Sequence, residues 1–156
     1  AQLTSGLALV SVVIDIERIG DYTKNIFDLA RRHPKRLNAG SLEAQLKALE
    51  EHTSEVFHDT IEAFRNSDED LARQVMDDYK EEISADSEKM TDDIIGGAVS
   101  DLKSPEAAAV VLYARFLKRI GSHSRNIATS IVNPFHRIGY NEKSDKSPGT
   151  DVIPPT

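Results

Sequence analysis

The sequence predicts an all-α fold, an up-down antiparallel bundle of about four long helices. Three observations carry that expectation. Apolar residues recur at steps of three, four and seven through most of the chain, the period of a helix with one buried face. No stretch alternates apolar with polar residues, and no hairpin turn separates two apolar runs. Turn residues fall between the periodic stretches, at 33–41, 66–68 and 103–105, in connections short enough to fold each helix back on the last.

The first helix is expected from about residue 3 to Arg32, with Thr4 or Ser5 as N-cap and Val12, Ile16, Ile19 and Ile26 on its apolar face. His33-Pro34 closes it, because proline disfavours helical geometry in the residue before it. After Asn38-Ala39-Gly40-Ser41, with Ser41 as N-cap, a second helix over about 42–65 turns Leu42, Leu46, Leu49, Thr53, Val56, Phe57 and Phe64 inward. The short Asn66-Ser67-Asp68 turn lays a third helix, about 69–101, beside it. Leu71, Val75, Tyr79, Ile83, Met90 and Ile94 face inward there, and Gly96-Gly97 weakens the end by about 1 kcal/mol per glycine relative to alanine. Lys103-Ser104-Pro105 leads into a fourth helix, about 105–132, with Ser104 as N-cap and Pro105 at the first helical position, where its missing N–H costs nothing. Its apolar residues include Leu112, Phe116, Leu117, Ile120 and Ile127, and Asn133-Pro134 stops or kinks it. Beyond Tyr140 the composition turns polar and proline-rich, too poor in apolar surface to offset the entropy of ordering. Residues 1–138 therefore read as the bundle and 139–156 as a flexible tail.

At 156 residues the chain supports one domain with a modest core. A net charge of -7 argues against a nucleic-acid or anionic-membrane partner. The basic run Arg31-Arg32-His33-Pro34-Lys35-Arg36 is explained by the dipole at a helix C-terminus. There are no cysteines, which excludes disulfides, zinc-thiolate sites and thiol chemistry and agrees with a cytoplasmic location. The apolar run over 7–14 is too short to span a bilayer and lacks a basic n-region.

The chain is organised around Asp15-Ile16-Glu17-Arg18-Ile19-Gly20-Asp21-Tyr22-Thr23-Lys24-Asn25-Ile26. The frame returns as Lys118-Arg119-Ile120-Gly121-Ser122-His123-Ser124-Arg125-Asn126-Ile127, an internal duplication. Glu17 and Asp21, one turn apart on one face, become Lys118 and Ser122 in the second copy, which has lost both acids. Gly20 and Gly121 occupy equivalent places, and a glycine inside a helix, otherwise costly, permits close helix approach.

These two stretches resemble the PhoU family of phosphate-uptake regulators, built from two repeated three-helix bundles that each carry an E-R-I-G-D-H-like turn. The resemblance covers roughly residues 6–138. It implies that the first helix is the last helix of a preceding unit, that 41–138 is a second, complete unit, and that a whole member carries two more helices before Leu3. A shortened protein, a fragment or a chain that borrows packing by dimerising would each account for that, and an exposed apolar flank on the first helix would favour the dimer. The resemblance further implies iron or a similar metal on the E-x-x-x-D faces. Glu17 and Asp21 match that pattern residue by residue, and Glu55 and Asp59 more loosely. Oxygen ligands suit Fe, Mn, Mg or Ca, whereas a solvated face with Arg18 or Lys24 as ion partners is the plainer reading. His52 and His58 stand near the second pair, the acids Asp78, Glu82 and Asp86 lie on the third helix, Lys118 is a candidate built-in cation, and His123 reads as a polar residue at a helix seam.

The function implied is a regulatory or scaffold module in phosphate uptake and signalling, not an enzyme, in contact with the cytosolic side of a phosphate transporter or a sensor kinase and without insertion in the membrane. Alternatives are a cytosolic domain of a sodium-phosphate transporter, a metal-dependent carboxylate-bundle enzyme and a purely architectural bundle. The enzyme reading lacks support in the motifs: a di-iron bundle needs two Glu-x-x-His pairs, and only Glu55-Val56-Phe57-His58 has that spacing.

Overall fold

The computed structural model describes residues 2–33 and 35–133, so the tail expected at 139–156 lies outside the described residues. Five α-helices follow in order: α1 (Gln2–Arg32), α2 (Glu43–Asn66), α3 (Glu69–Asp78), α4 (Ala85–Ile95) and α5 (Ser104–Val132). A 3₁₀ turn, Gly40–Leu42, precedes α2, and a π-helical segment, Tyr79–Ser84, joins α3 to α4 without a break. The expected third helix is thus α3, the π segment and α4 together, and the fourth is α5. No strand occurs among the described residues.

The core lies where α2, α3, the π segment and α4 close around α5, with Leu49, Val75, Ile83, Val110 and Ala114 fully buried. Each large apolar side chain removed from water there contributes roughly 1.5–3 kcal/mol. Two residues fix the sharp turn from α2 to α3. Ser67 adopts φ 50°, and the Asp68 N–H donates to the Ala63 carbonyl at 2.9 Å, ending α2. The Asp68 carboxylate then accepts from the Leu71 N–H at 3.0 Å and starts α3. Gly97, at φ 77°, closes α4 in the same way, with the Ala98 N–H on the Asp93 carbonyl. The end foreseen near 101 therefore comes at Ile95.

Four side chains sit differently from expectation. Ser41 does not cap α2; it lies in the 3₁₀ turn, where its N–H and hydroxyl donate to Asp101 at 2.7 and 3.0 Å. Phe64 is exposed, because α2 buries Leu46, Leu49, Thr53, Val56, Thr60 and Ala63 at alternating steps of three and four, and Phe64 falls one residue past that seam. Ile16 is 56% exposed. The side of α1 that meets α5 carries Val12, Asp15, Ile19, Tyr22 and Ile26, and Ile16 points away from it. Ser104 opens α5 as its first residue, with Lys103 in the cap position.

The π segment has a physical cause in the spacing. Val75, Tyr79, Ile83 and Ser87, all buried, follow at three successive steps of four. On a regular α-helix each such step rotates the stripe by about 40°, so the last residue would leave the core by about 120°. One wider turn restores the phase. It brings Tyr79 and Ile83 onto Gly121 of α5, where the carbon of a larger side chain would stand 3.1 Å from each.

Candidate functional site

The duplicated stretches meet. α1 rests chiefly on α5, and the two run antiparallel: Asp15 faces His123 and Asn126, while Tyr22 faces Phe116 and Arg119. With an offset of 101, Tyr22 corresponds to His123 and Asp15 to Phe116. Tyr22 against Phe116 and His123 against Asp15 are therefore equivalent contacts, related by a local two-fold between the repeats.

At that seam lies a polar cluster. The His123 Nδ1 is 2.8 Å from Asp15 Oδ1, with side chains only 12% and 13% exposed. The Asn126 amide donates to the same oxygen at 3.3 Å. The Tyr22 ring stacks on His123 at 5.9 Å, and the Arg119 guanidinium lies 5.7 Å over Tyr22 while its Nε donates to the phenol oxygen at 3.3 Å. His123 Nε2 is buried without a partner, which favours the neutral ring with its proton on Nδ1, so that only an acceptor is left unmet. The cluster spends its polar atoms on holding two helices together. His123 is the seam residue expected from sequence. Asp15 lies outside the E-x-x-x-D pattern, but its place in the stripe Val12, Asp15, Ile19, Tyr22, Ile26 marks it as an inward-facing charge.

Glu17 and Asp21 stand outside this seam, both exposed, and Asp21 accepts from Arg18 at 3.4 Å. Glu55 is exposed and Asp59 half-buried on α2. Among the described residues no three of His, Asp and Glu gather around one point. The residues present do not fit a metal centre on their own: a cation at Glu17 and Asp21 would need donors from outside the described residues. Lys118 reaches Glu88 of α4 and not α1, and its hydrogen bond holds the Glu88 carboxyl below the usual range. His52 Nε2 lies 3.6 Å from Glu82, and His58 Nδ1 lies 2.7 Å from the Ser54 carbonyl on its own helix.

One acidic face does span two elements. Burial, then the charges of Glu82, Asp59 and Asp77, raise the Asp78 carboxyl above its ordinary value, against a lowering hydrogen bond from Gln74. A carboxylate whose folded pKa is raised holds its proton more tightly in the folded state, so the fold gains from it as pH falls through that raised value towards the ordinary one. Asp101 has the opposite sign: the hydrogen bonds from the Ser41 N–H and hydroxyl lower it, and its contribution is full above the ordinary carboxylate value and lost as pH falls through the lowered one. Asp78→Asn is accordingly expected to raise the melting temperature at pH 7 by about 1 °C or slightly more, with a smaller gain near pH 4, in thermal melts followed by circular dichroism.

Residues 46–131, the span from α2 through nearly all of α5, match the family model of the PhoU domain. The chain belongs to the PhoU domain family. Among curated relatives it is 28% identical over 130 residues to the phosphate-specific transport system accessory protein PhoU homolog of Pseudomonas putida, covering 81% of this chain and 49% of that protein. It is 27% identical over 128 residues to the protein of that kind from Serratia marcescens, 80% of this chain and 51% of the other. With the homolog from Xylella fastidiosa it shares 27% identity over 152 residues, 94% of this chain and 63% of that protein. The chain therefore spans about half to under two thirds of the length of these relatives. No solved structure matches it. The PhoU domain falls on the unit α2 to α5. No helix among the described residues is long and apolar enough to cross a membrane.

Proposed function

We propose that this PhoU-domain chain regulates phosphate uptake by contact with another protein, a phosphate transporter or its sensor kinase on the cytosolic side, and does no chemistry of its own. The observation that carries the reading is the match of the PhoU domain to residues 46–131, nearly all of the α2–α5 unit, with relatives named as accessory proteins of phosphate-specific transport. The side chains support it. The buried ionisable pair of the repeat, Asp15 and His123, is engaged in helix packing, while α1 keeps a broad apolar face in solvent. In a bacterium that lacks its own PhoU accessory protein, expression of this chain is expected to restore repression of a phosphate-starvation reporter at high phosphate. Folded chain present at normal levels with a fully derepressed reporter would overturn the reading, as would steady turnover of phosphate esters above background.

Because no three of His, Asp and Glu gather around one point among the described residues, a chelator such as EDTA is expected to leave the melting temperature unchanged, since only a ligand bound by the folded state raises stability. A fall of several degrees would return Glu17 and Asp21 to the role of metal ligands completed from outside.

A further inference from the structure

We propose that the cavity where the C-terminal end of α1 meets α5 binds an aliphatic carboxylate, its chain inside and its head on Lys35 and Arg36. The inference goes beyond the reading above and does not rest on it. The cavity holds about 320 Å³ between the last turns of α1, the connection to α2 and the start of α5. Its apolar walls are Ile26, Leu29, Ala30, Leu37 and Ala109, and His33, Lys35 and Arg36 also line it. Ile26 and Leu37 pack on the core and Ala109 is buried, so the walls are formed before any ligand arrives. The volume is about twice the ~150 Å³ that accommodates benzene, room for a chain of about eight carbons.

The cations at the mouth have little else to do. The helix dipole accounts for Arg31 and Arg32 in the last turn of α1, but its effect falls off within that turn, and Lys35 and Arg36 come after the helix has ended. Lys35 meets no carboxylate among the described residues. Arg36 reaches Glu43 at 3.8 Å with its side chain 93% exposed, and that carboxylate already accepts from the Ala39 N–H at 3.0 Å. Two such cations beside an apolar cavity suit an anion with an apolar body, whose carboxylate an arginine can hold with two parallel hydrogen bonds. The source is a free amphiphile and not a bilayer, because a net charge of -7 repels an anionic surface.

The cavity belongs to the seam between α1 and α5. With the offset of 101, Leu29 and Ala30 correspond to Ser130 and Ile131, and Ala109 and Tyr113 to Ala8 and Val12. Ala8, Val12, Ser130 and Ile131 line a cavity at the opposite end of the same seam. There the turn between α2 and α3 is in place, contributing Phe64, Ser67 and Glu69, and a volume of about 540 Å³ stays open. The helices of a complete unit therefore leave the end of the seam accessible. The two ends differ in charge, with an acid at one and the basic connection at the other, so only the first-described cavity favours an anion.

Calorimetric titration of octanoate into the full chain at low salt is expected to saturate at one molecule per chain. Affinity should rise about fourfold per methylene from hexanoate through heptanoate to octanoate. 1-Octanol, which lacks the charge, should bind at least about tenfold more weakly. Lys35→Glu combined with Arg36→Glu should weaken octanoate at least about tenfold, and Ala30→Phe, which fills the cavity from an exposed position on α1, should abolish binding. Thermal melts of both variants should match the unaltered chain. No saturation by about 1 mM octanoate, the result if the cavity receives a side chain of a partner protein instead, overturns the proposal. So does 1-octanol binding as tightly as octanoate, undiminished binding in either variant, or association with phosphatidylglycerol vesicles in place of the free acid.

Discussion

Gly121→Leu is expected to lower the free energy of unfolding by about 2 kcal/mol, read from the midpoint and slope of a urea transition. The first carbon of a side chain at 121 would stand 3.1 Å from Ile83 Cγ2 and from Tyr79 Cδ2, and 3.2 Å from Ile83 Cδ1. That distance is already tight, and leucine extends three carbons further into side chains that are fully or almost fully buried. Overpacking of this kind costs about 3 kcal/mol, set against about 1 kcal/mol gained by replacing a helical glycine. The Tyr79 ring has little room to yield, because the Arg125 guanidinium lies 5.3 Å over its centre. Gly20→Ala isolates the smaller effect. With nothing within 4 Å of that position, only the propensity gain remains, and stability is expected to rise by up to about 1 kcal/mol. Equal responses at the two glycines would mean that the π segment does not seat on Gly121.

What the sequence conveyed and what it hid follow from the same periodicity. Helix number, turns and most of the core were legible because steps of three and four report burial directly. The π segment was written there too, in the three consecutive steps of four from Val75 to Ser87, but a stripe drawn by residue type does not show its own drift. Ile16 was misplaced for a related reason. The first half of α1 is apolar on nearly all sides, so two stripes overlap, and only the polar residues Asp15 and Tyr22 reveal which one meets α5. The acids were the least legible. Glu17 and Asp21 at a four-residue step look the same whether they hold a cation or an intrahelical ion pair such as Arg18 with Asp21, since both arrangements ask only for one turn of separation. Ser41 was a natural capping residue whose partner, Asp101, comes from sixty positions away, beyond the reach of any local rule.

Asp15→Ala is expected to cost about 3 kcal/mol at neutral pH, because it leaves buried donors without their acceptor. Two donors lose their acceptor at once, His123 Nδ1 and the Asn126 amide, and His123 Nε2 already lacks one. Water cannot easily repair the loss where both side chains are nearly nine-tenths buried and the Tyr22 ring covers the imidazole. Asp15→Asn keeps an oxygen for the Nδ1 proton and should lose only about 1 kcal/mol, the difference between a charged and a neutral acceptor. In the double variant Asp15→Ala with His123→Ala the stranded ring is gone, so the total should fall short of the sum of the singles by about 1–2 kcal/mol. The damage is also expected to be local. α1 has little besides α5 to hold it, so amide exchange should accelerate first in α1 while α2 and α4 keep their protection, as when one cooperative unit opens before the rest. Uniform loss of protection in every helix, or strictly additive single and double variants, would show that the pair is not what fastens the two repeats together.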